Sequence, residues 1–168
     1  MENIFKFITI SLLLIITSNS FADSLILSAK LKIEYQTPQS IAHGTDNLIV
    51  KYKDWSFMHV LVDPKELYQQ IDLTGLEKDY IRAIFDVQAR SKLPKWLAIT
   101  AEEQADVFGV TPQSTHGFML DKAEVLAVYD AKDKKGQIFI LEELAVHQIY
   151  INGEIQHYHK VTHSIKER

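Results

Sequence analysis

Residues 124–165 decide the fold class, and they read EVLAVYDAKDKKGQIFILEELAVHQIYINGEIQHYHKVTHSI. Three runs in this stretch are rich in the β-branched, aliphatic and aromatic residues typical of strands: 124–130, 137–144 and 145–151. Asn152-Gly153 follows the third run, and this pair favours a type I′ hairpin turn because both of its residues accept positive φ. The segment 154–165 is therefore predicted to return as a fourth antiparallel strand.

The N-terminal half contributes further strand signals. Residues 25–35 alternate between apolar and polar side chains, which predicts a strand. Residues 48–62 contain two strand-like runs around Lys53-Asp54, which predicts a hairpin. Together with the C-terminal runs, these segments indicate a sheet of antiparallel strands.

Helices are predicted between the two groups of strands. Asp63 before Pro64, Thr74 before Glu77 and Thr100 before Glu103 have the pattern of helix N-termini. After Thr74, one apolar stripe at helical spacing predicts an amphipathic helix over 75–90, formed by Leu76, Tyr80, Ile81, Ile84 and Phe85. A shorter helix is predicted over 101–108, closed by Gly109. The sequence thus predicts an α+β fold, with about five to six antiparallel strands and two to three helices packed on them.

The first 22 residues have the features of an export signal. Lys6 lies in a short polar start, residues 7–17 carry no charge, and Ser20-Phe21-Ala22 offers small residues at the two positions that signal peptidase reads. The apolar run is about a dozen residues long, shorter than a membrane-spanning helix requires. We expect cleavage after Ala22, leaving residues 23–168 as one globular domain in the periplasm or secreted, without a membrane-spanning segment.

Composition excludes several functional classes. The chain has 168 residues, with 18 Lys and Arg against 22 Asp and Glu, a net charge of −4. This balance argues against a general nucleic-acid binder, which carries a basic surplus. There is no cysteine, so disulfides, a thiol nucleophile and cysteine metal ligands are all excluded.

Histidines are the residues most suggestive of chemistry. His157, His159 and His163 lie on the predicted last strand, where residues two apart share a face. Imidazoles placed in this way can bind zinc or copper. The predicted hairpin pairs His147 with Tyr158 on the opposite face, so His147 is not expected to be a ligand. The alternative to this metal site is that the three histidines are ordinary strand residues.

No nucleophile elbow, zinc-protease helix, dinucleotide fingerprint or phosphate-binding loop is present in the sequence. The leading hypothesis is therefore a non-enzymatic exported protein that binds an unidentified small molecule or protein. One alternative is the zinc or copper protein. Another is a small exported hydrolase that uses His43 or His116, which lie in predicted loops and would have to share one cleft.

The order of these elements resembles the Mog1/PsbP-like sandwich family over roughly residues 33–166, ending in a Ser-Ile-Lys strand. In that family a central antiparallel sheet is layered between helices, and its members serve as accessory or binding proteins. The resemblance implies the same for this chain, and no functional residue transfers. The predicted last strand departs from the pattern because it leaves no closing helix. A cystatin-like α+β roll fits the same order of elements.

Overall fold

The computed structural model describes residues 22–66 and 71–168. The predicted signal segment 1–22 lies outside these residues, apart from Ala22 itself. Ten strands and four helices occur in the described part. The strands are β1 (Ala22–Ile26), β2 (Leu31–Gln36), β3 (Ser40–His43), β4 (Asn47–Lys51), β5 (Ser56–Leu61), β6 (Thr115–Leu120), β7 (Ala123–Asp130), β8 (Lys135–Leu141), β9 (Val146–Asn152) and β10 (Ile165–Glu167). The helices are α1 (Glu77–Phe85), α2 (Val87–Arg90), α3 (Lys95–Phe108) and α4 (Ile155–Ser164).

The strands form two antiparallel sheets, which confirms the predicted α+β class. One has seven strands in the order β3-β4-β5-β9-β8-β7-β6, and the other has three in the order β1-β2-β10. The strand total exceeds the expected five to six because β3 and β6 come from segments without a strand signal. In addition, the predicted strand 25–35 is divided by a turn into the hairpin of β1 and β2.

The seven-stranded sheet is covered on both faces. Its sandwich face, which carries Val50, Phe57 and Ile149, packs against Leu31 and Ile33 of the small sheet and against α4. Its helix face carries buried side chains that pack against Ile81 of α1 and Phe108 of α3, namely Phe139, Leu141 and Val146. Each covering layer removes apolar side chains from water, which is the main favourable term in folding.

The predicted final strand is wrong, because residues 155–164 form α4. The buried side chains of this segment are Tyr158, Val161 and Thr162, at positions i, i+3 and i+4, which is helical spacing. The Asn152-Gly153 hairpin is also wrong. Asn152 ends β9, and the Gly153 N–H donates to the Lys134 carbonyl at 3.0 Å.

The predicted helix over 75–90 is interrupted at Asp86. This residue has extended φ and ψ of −133° and 120°, and its carboxylate accepts from the Gln88 N–H at the start of α2. Leu76 precedes α1 and is 40% exposed, so it is not part of the buried stripe. The stripe is otherwise present, since Tyr80, Ile81 and Ile84 are buried and Phe85 is partly buried.

The next helix, α3, is longer than predicted. It begins directly after Pro94, so Thr100 lies in its interior and donates to the Leu97 carbonyl instead of capping an N-terminus. Gly109 closes it in the left-handed region at φ 68°, as predicted. In the described residues α3 is the longest helix, and none there is both long and apolar enough to cross a membrane. The helix predicted from Asp63 runs into residues 67–70, outside the described part.

Close packing of α4 on β8 generates the first testable prediction. A Cβ at Gly136 would lie 2.6 Å from Tyr158 Cδ2 and 3.3 Å from Ile151 Cβ, so Gly136→Ala forces α4 away from the sheet. We expect the free energy of unfolding to fall by about 1–3 kcal/mol, as in other overpacked cores. Gly117→Ala is the matched control, because its Cβ would meet nothing closer than 3.6 Å. Chemical denaturation measures both variants, and equal midpoints for the two would contradict this account.

Candidate functional site

Three histidines from two elements line one cavity. It has a volume of about 510 Å³ and lies between the loop before β6, the first residues of β6 and helix α4. His116 reaches it from β6, and His159 and His163 reach it from α4. We call it the histidine cavity. It combines residues that the sequence had assigned to two different sites.

The helix determines which of the predicted metal ligands share a face. His159 and His163 are four residues apart on α4, and their ring centroids lie 6.1 Å apart. His157 is two residues from His159 and faces elsewhere. Its ring stacks on Trp55, with centroids 4.8 Å apart and planes 3° apart. The expectation that His157 and His159 share a face is therefore wrong.

A hydrogen bond fixes the tautomer of His163. Its Nδ1 lies 2.6 Å from the carbonyl oxygen of His159. A carbonyl oxygen can only accept, so Nδ1 must carry the proton and donate it. In the neutral ring, Nε2 is then left with a free lone pair. His163 thus offers an acceptor nitrogen, fixed by the backbone of its own helix.

Most hydroxyl groups of the cavity already donate a hydrogen bond. Four of them donate to backbone carbonyls, namely Ser114 at 2.7 Å, Thr115 and Thr162 at 2.9 Å, and Tyr129 at 3.0 Å. Three of these oxygens can still accept a hydrogen bond, whereas Ser114 Oγ already accepts from the N–H and the hydroxyl of Thr111. Among the described residues that line the cavity, none is Asp, Glu, Lys or Arg. The described lining of the cavity therefore carries no formal charge, and its polar groups are set in a largely apolar surface.

Tyr158 completes the inner wall. Burial raises the pKa of Tyr158 to about 12, although the nearby Thr162 hydroxyl acts in the opposite direction. The Tyr158 hydroxyl is buried without a partner at hydrogen-bond distance. Leaving such a group unpaired costs about 1–3 kcal/mol, so orphaned polar atoms of this kind call for an explanation such as a ligand or a water.

A second polar assembly lies on the sandwich face, at the start of β9. His59 of β5 and His147 of β9 occupy diagonal positions of an antiparallel pair, with His59 Nε2 3.1 Å from His147 Nδ1. His147 Nε2 is 3.1 Å from a Glu142 carboxylate oxygen, and the other carboxylate oxygen accepts from the Ser28 hydroxyl at 2.9 Å. We call this the histidine–glutamate chain. It ties the turn between β1 and β2 to the seven-stranded sheet.

The carboxylate of Glu142 determines which nitrogens donate and which accept in the histidine–glutamate chain. An ionised Glu142 only accepts, so His147 carries its proton on Nε2 and His59 donates from its own Nε2. Ser28 Oγ also accepts from the N–H groups of Lys30 and Leu31, both at 3.1 Å. The serine therefore faces a carboxylate and two amides, not an imidazole, and lacks the base that activates a serine nucleophile.

The sequence analysis did not predict the histidine–glutamate chain. It placed His147 by the incorrect hairpin and treated Glu142 as part of a strand with Glu143. The usable signal was local, since Glu142 and His147 flank the turn between β8 and β9. Once that turn is placed, the two residues fall on diagonal positions of one face. The contribution of His59 depends on how β5 and β9 pair, and that is a tertiary property.

The histidines proposed for a hydrolase do not meet. His43 lies in β3 and His116 in β6, which are the two edges of the seven-stranded sheet. Six strand spacings of about 4.8 Å separate them by roughly 30 Å. Both are strand residues rather than loop residues. In residues 22–66 and 71–168, no group of three or more metal-ligating side chains is close enough to hold one ion.

The histidine–glutamate chain predicts acid sensitivity. Burial, and secondarily His147, lowers the pKa of His59 from 6.5 to about 4. In the unfolded chain His59 is protonated below about pH 6.5, whereas in the folded protein it stays neutral down to about pH 4. The free energy of unfolding therefore decreases as pH falls through this window. The loss from pH 7.5 to 5 is at most about 2 kcal/mol, less where solvent reaches the ring.

The measurement is urea denaturation across this pH range. His59→Gln keeps a donor for His147 but does not titrate, so it should flatten the pH dependence between 6.5 and 5. The control is His43→Gln, at an exposed position of edge strand β3, which should keep the original slope. Parallel curves for all three proteins would refute the role of His59.

Comparison of the chain with protein-family models, with curated proteins and with solved structures found no match.

Proposed function

We propose that this chain is an exported binding protein that holds a small polar ligand in the histidine cavity and does not catalyse a reaction on it. The observation that carries the proposal is the cavity itself. Three imidazoles and several hydroxyl groups from separated parts of the chain line one space of about 510 Å³. A concave site of this size with a few convergent polar groups is typical of small-molecule sites.

The chemistry of the cavity favours a ligand that donates hydrogen bonds or is a cation. The hydroxyl protons of Ser114, Thr115, Tyr129 and Thr162 and the Nδ1 proton of His163 are already donated to the backbone. A ligand therefore meets the Nε2 lone pair of His163 and hydroxyl lone pairs, while the unpaired Tyr158 hydroxyl also has a proton to donate. Anions have no Lys or Arg to pair with among the described lining residues.

Binding without catalysis is supported by the arrangement of the candidate reactive groups. Ser28 donates to a carboxylate, and His43 and His116 lie on opposite edges of the sheet. The negative net charge of −4 supports a partner other than nucleic acid. The resemblance to the Mog1/PsbP-like family, whose members are accessory or binding proteins, agrees with this proposal.

Export is the second part of the proposal, and it is supported by residues 1–22. Cleavage after Ala22 would remove the first residue of β1 and leave the strand from Asp23, which pairs with Tyr35. The protein isolated from the periplasm or the medium should therefore have an intact mass that begins at Asp23. Recovery of the full-length protein with the membranes would contradict cleavage and release of the mature protein. The control for processing is the Ala22→Arg variant, which blocks the cleavage site.

Filling the cavity tests the binding proposal. Ala131 lines it and is exposed, so Ala131→Trp should occupy the space without disturbing the core. The probes are amino acids, short amines, sugars and nucleobases. Their binding is detected by NMR as changes in the amide chemical shifts of residues 111–116 and 155–163. A ligand that shifts these amides should lose its effect in Ala131→Trp and keep it in the matched control Ala42→Trp, on exposed strand β3. Shifts that survive in Ala131→Trp would place binding elsewhere.

A further inference from the structure

We infer that the histidine cavity takes a late first-row transition metal ion, zinc or copper, held by His159 and His163 of α4. This inference rests on the proposed function, because it names the ligand class of the same cavity. It replaces the pair His157 and His159, which the helix separates.

The spacing of the two histidines is that of a chelating pair. Residues four apart on a helix are neighbours on one face, and two histidines at this spacing bind zinc in metalloprotease helices. The ring centroids of His159 and His163 are 6.1 Å apart, and both side chains are exposed to the cavity side of α4. Chelation requires the exposed His159 ring to turn so that one of its nitrogens and Nε2 of His163 face the same ion.

The tautomer of His163 is the one that a metal ligand needs. Its Nδ1 donates to the His159 carbonyl at 2.6 Å, which leaves the Nε2 lone pair for the ion. Histidines that bind metals generally donate their other ring N–H to a carbonyl or carboxylate, which fixes the ring and its tautomer. The same bond also caps a carbonyl near the end of α4, so the experiment must separate capping from metal binding.

The donor set selects the class of metal. Neutral imidazole suits zinc and copper, whereas calcium and magnesium require carboxylate and carbonyl oxygens. The chain has no cysteine, and the described lining residues of the cavity include no carboxylate. With two protein ligands, the remaining positions of the ion are open to water on the cavity side.

The experiment is calorimetric titration of zinc chloride into the purified protein at pH 7.5, where imidazole is mostly neutral. Zinc should bind with one-to-one stoichiometry, copper(II) should bind more tightly, and magnesium should give no signal. His159→Ala and His163→Ala should each abolish zinc binding over the titrated range. His163→Gln retains a side-chain donor for the carbonyl but no metal ligand, and it should abolish binding as well.

His43→Ala is the matched control, since His43 is an exposed histidine on the far edge of the sheet, and it should bind zinc as the parent does. Full binding by His163→Gln, or no binding by the folded parent protein, would overturn the inference. If zinc fails but an organic probe shifts the cavity amides in the Ala131→Trp experiment, the metal inference falls and the proposed function stands. If the probes also fail, both fall.

Discussion

The contact between Tyr158 of α4 and Gly136 of β8 is the constraint on which the rest of the structure depends. A Cβ at Gly136 would stand 2.6 Å from the tyrosine ring, so the helix lies as close to the sheet as a backbone without a side chain allows. This approach places α4 over the sandwich face and directs the following residues, β10, to pair with β2. Because the helix is held on this side, Tyr158, His159 and His163 together form one wall of the histidine cavity.

Two further assemblies, one aromatic and one polar, connect the seven-stranded sheet to α4 and to the small sheet. On one side, His157 stacks on Trp55, which in turn stacks on Tyr52 with centroids 4.1 Å apart. On the other, the histidine–glutamate chain joins Ser28 of the small sheet to β9 and β5. Buried polar chains of this kind stabilise only when every member is satisfied, and each polar link here is at hydrogen-bond distance.

The histidines of this protein illustrate how one residue type acquires different roles from its surroundings. His157 is an aromatic packing residue, and His59 and His147 are links in a buried chain. His159 and His163 are left facing a cavity in which four hydroxyl groups already donate their protons to backbone carbonyls. A free acceptor nitrogen beside such groups is suited to a metal ion or to a donor ligand. The proposed binding function therefore rests on which hydroxyl and imidazole protons are already donated to the backbone.

Much of the fold could be predicted from local patterns, because those patterns have local physical causes. The alternation over 48–62 and the apolar runs over 124–130, 137–144 and 145–151 predicted strands that the structure contains. Gly109 was identified as a helix end because a left-handed residue is needed there. The α+β class followed from the order of these elements.

Tertiary structure decided the rest. Most of the segment 154–165 fits two patterns, a strand after Asn152-Gly153 and a helix with Tyr158, Val161 and Thr162 on one face. The helix formed because Tyr158 and Val161 could be buried together on the sandwich face, where Ile165 of β10 packs beside them. That choice separated His157 from His159, paired His159 with His163 and brought His116 beside them. Residue types and their order were sufficient to single out the histidines, but which of them meet depends on burial between layers that lie far apart along the chain.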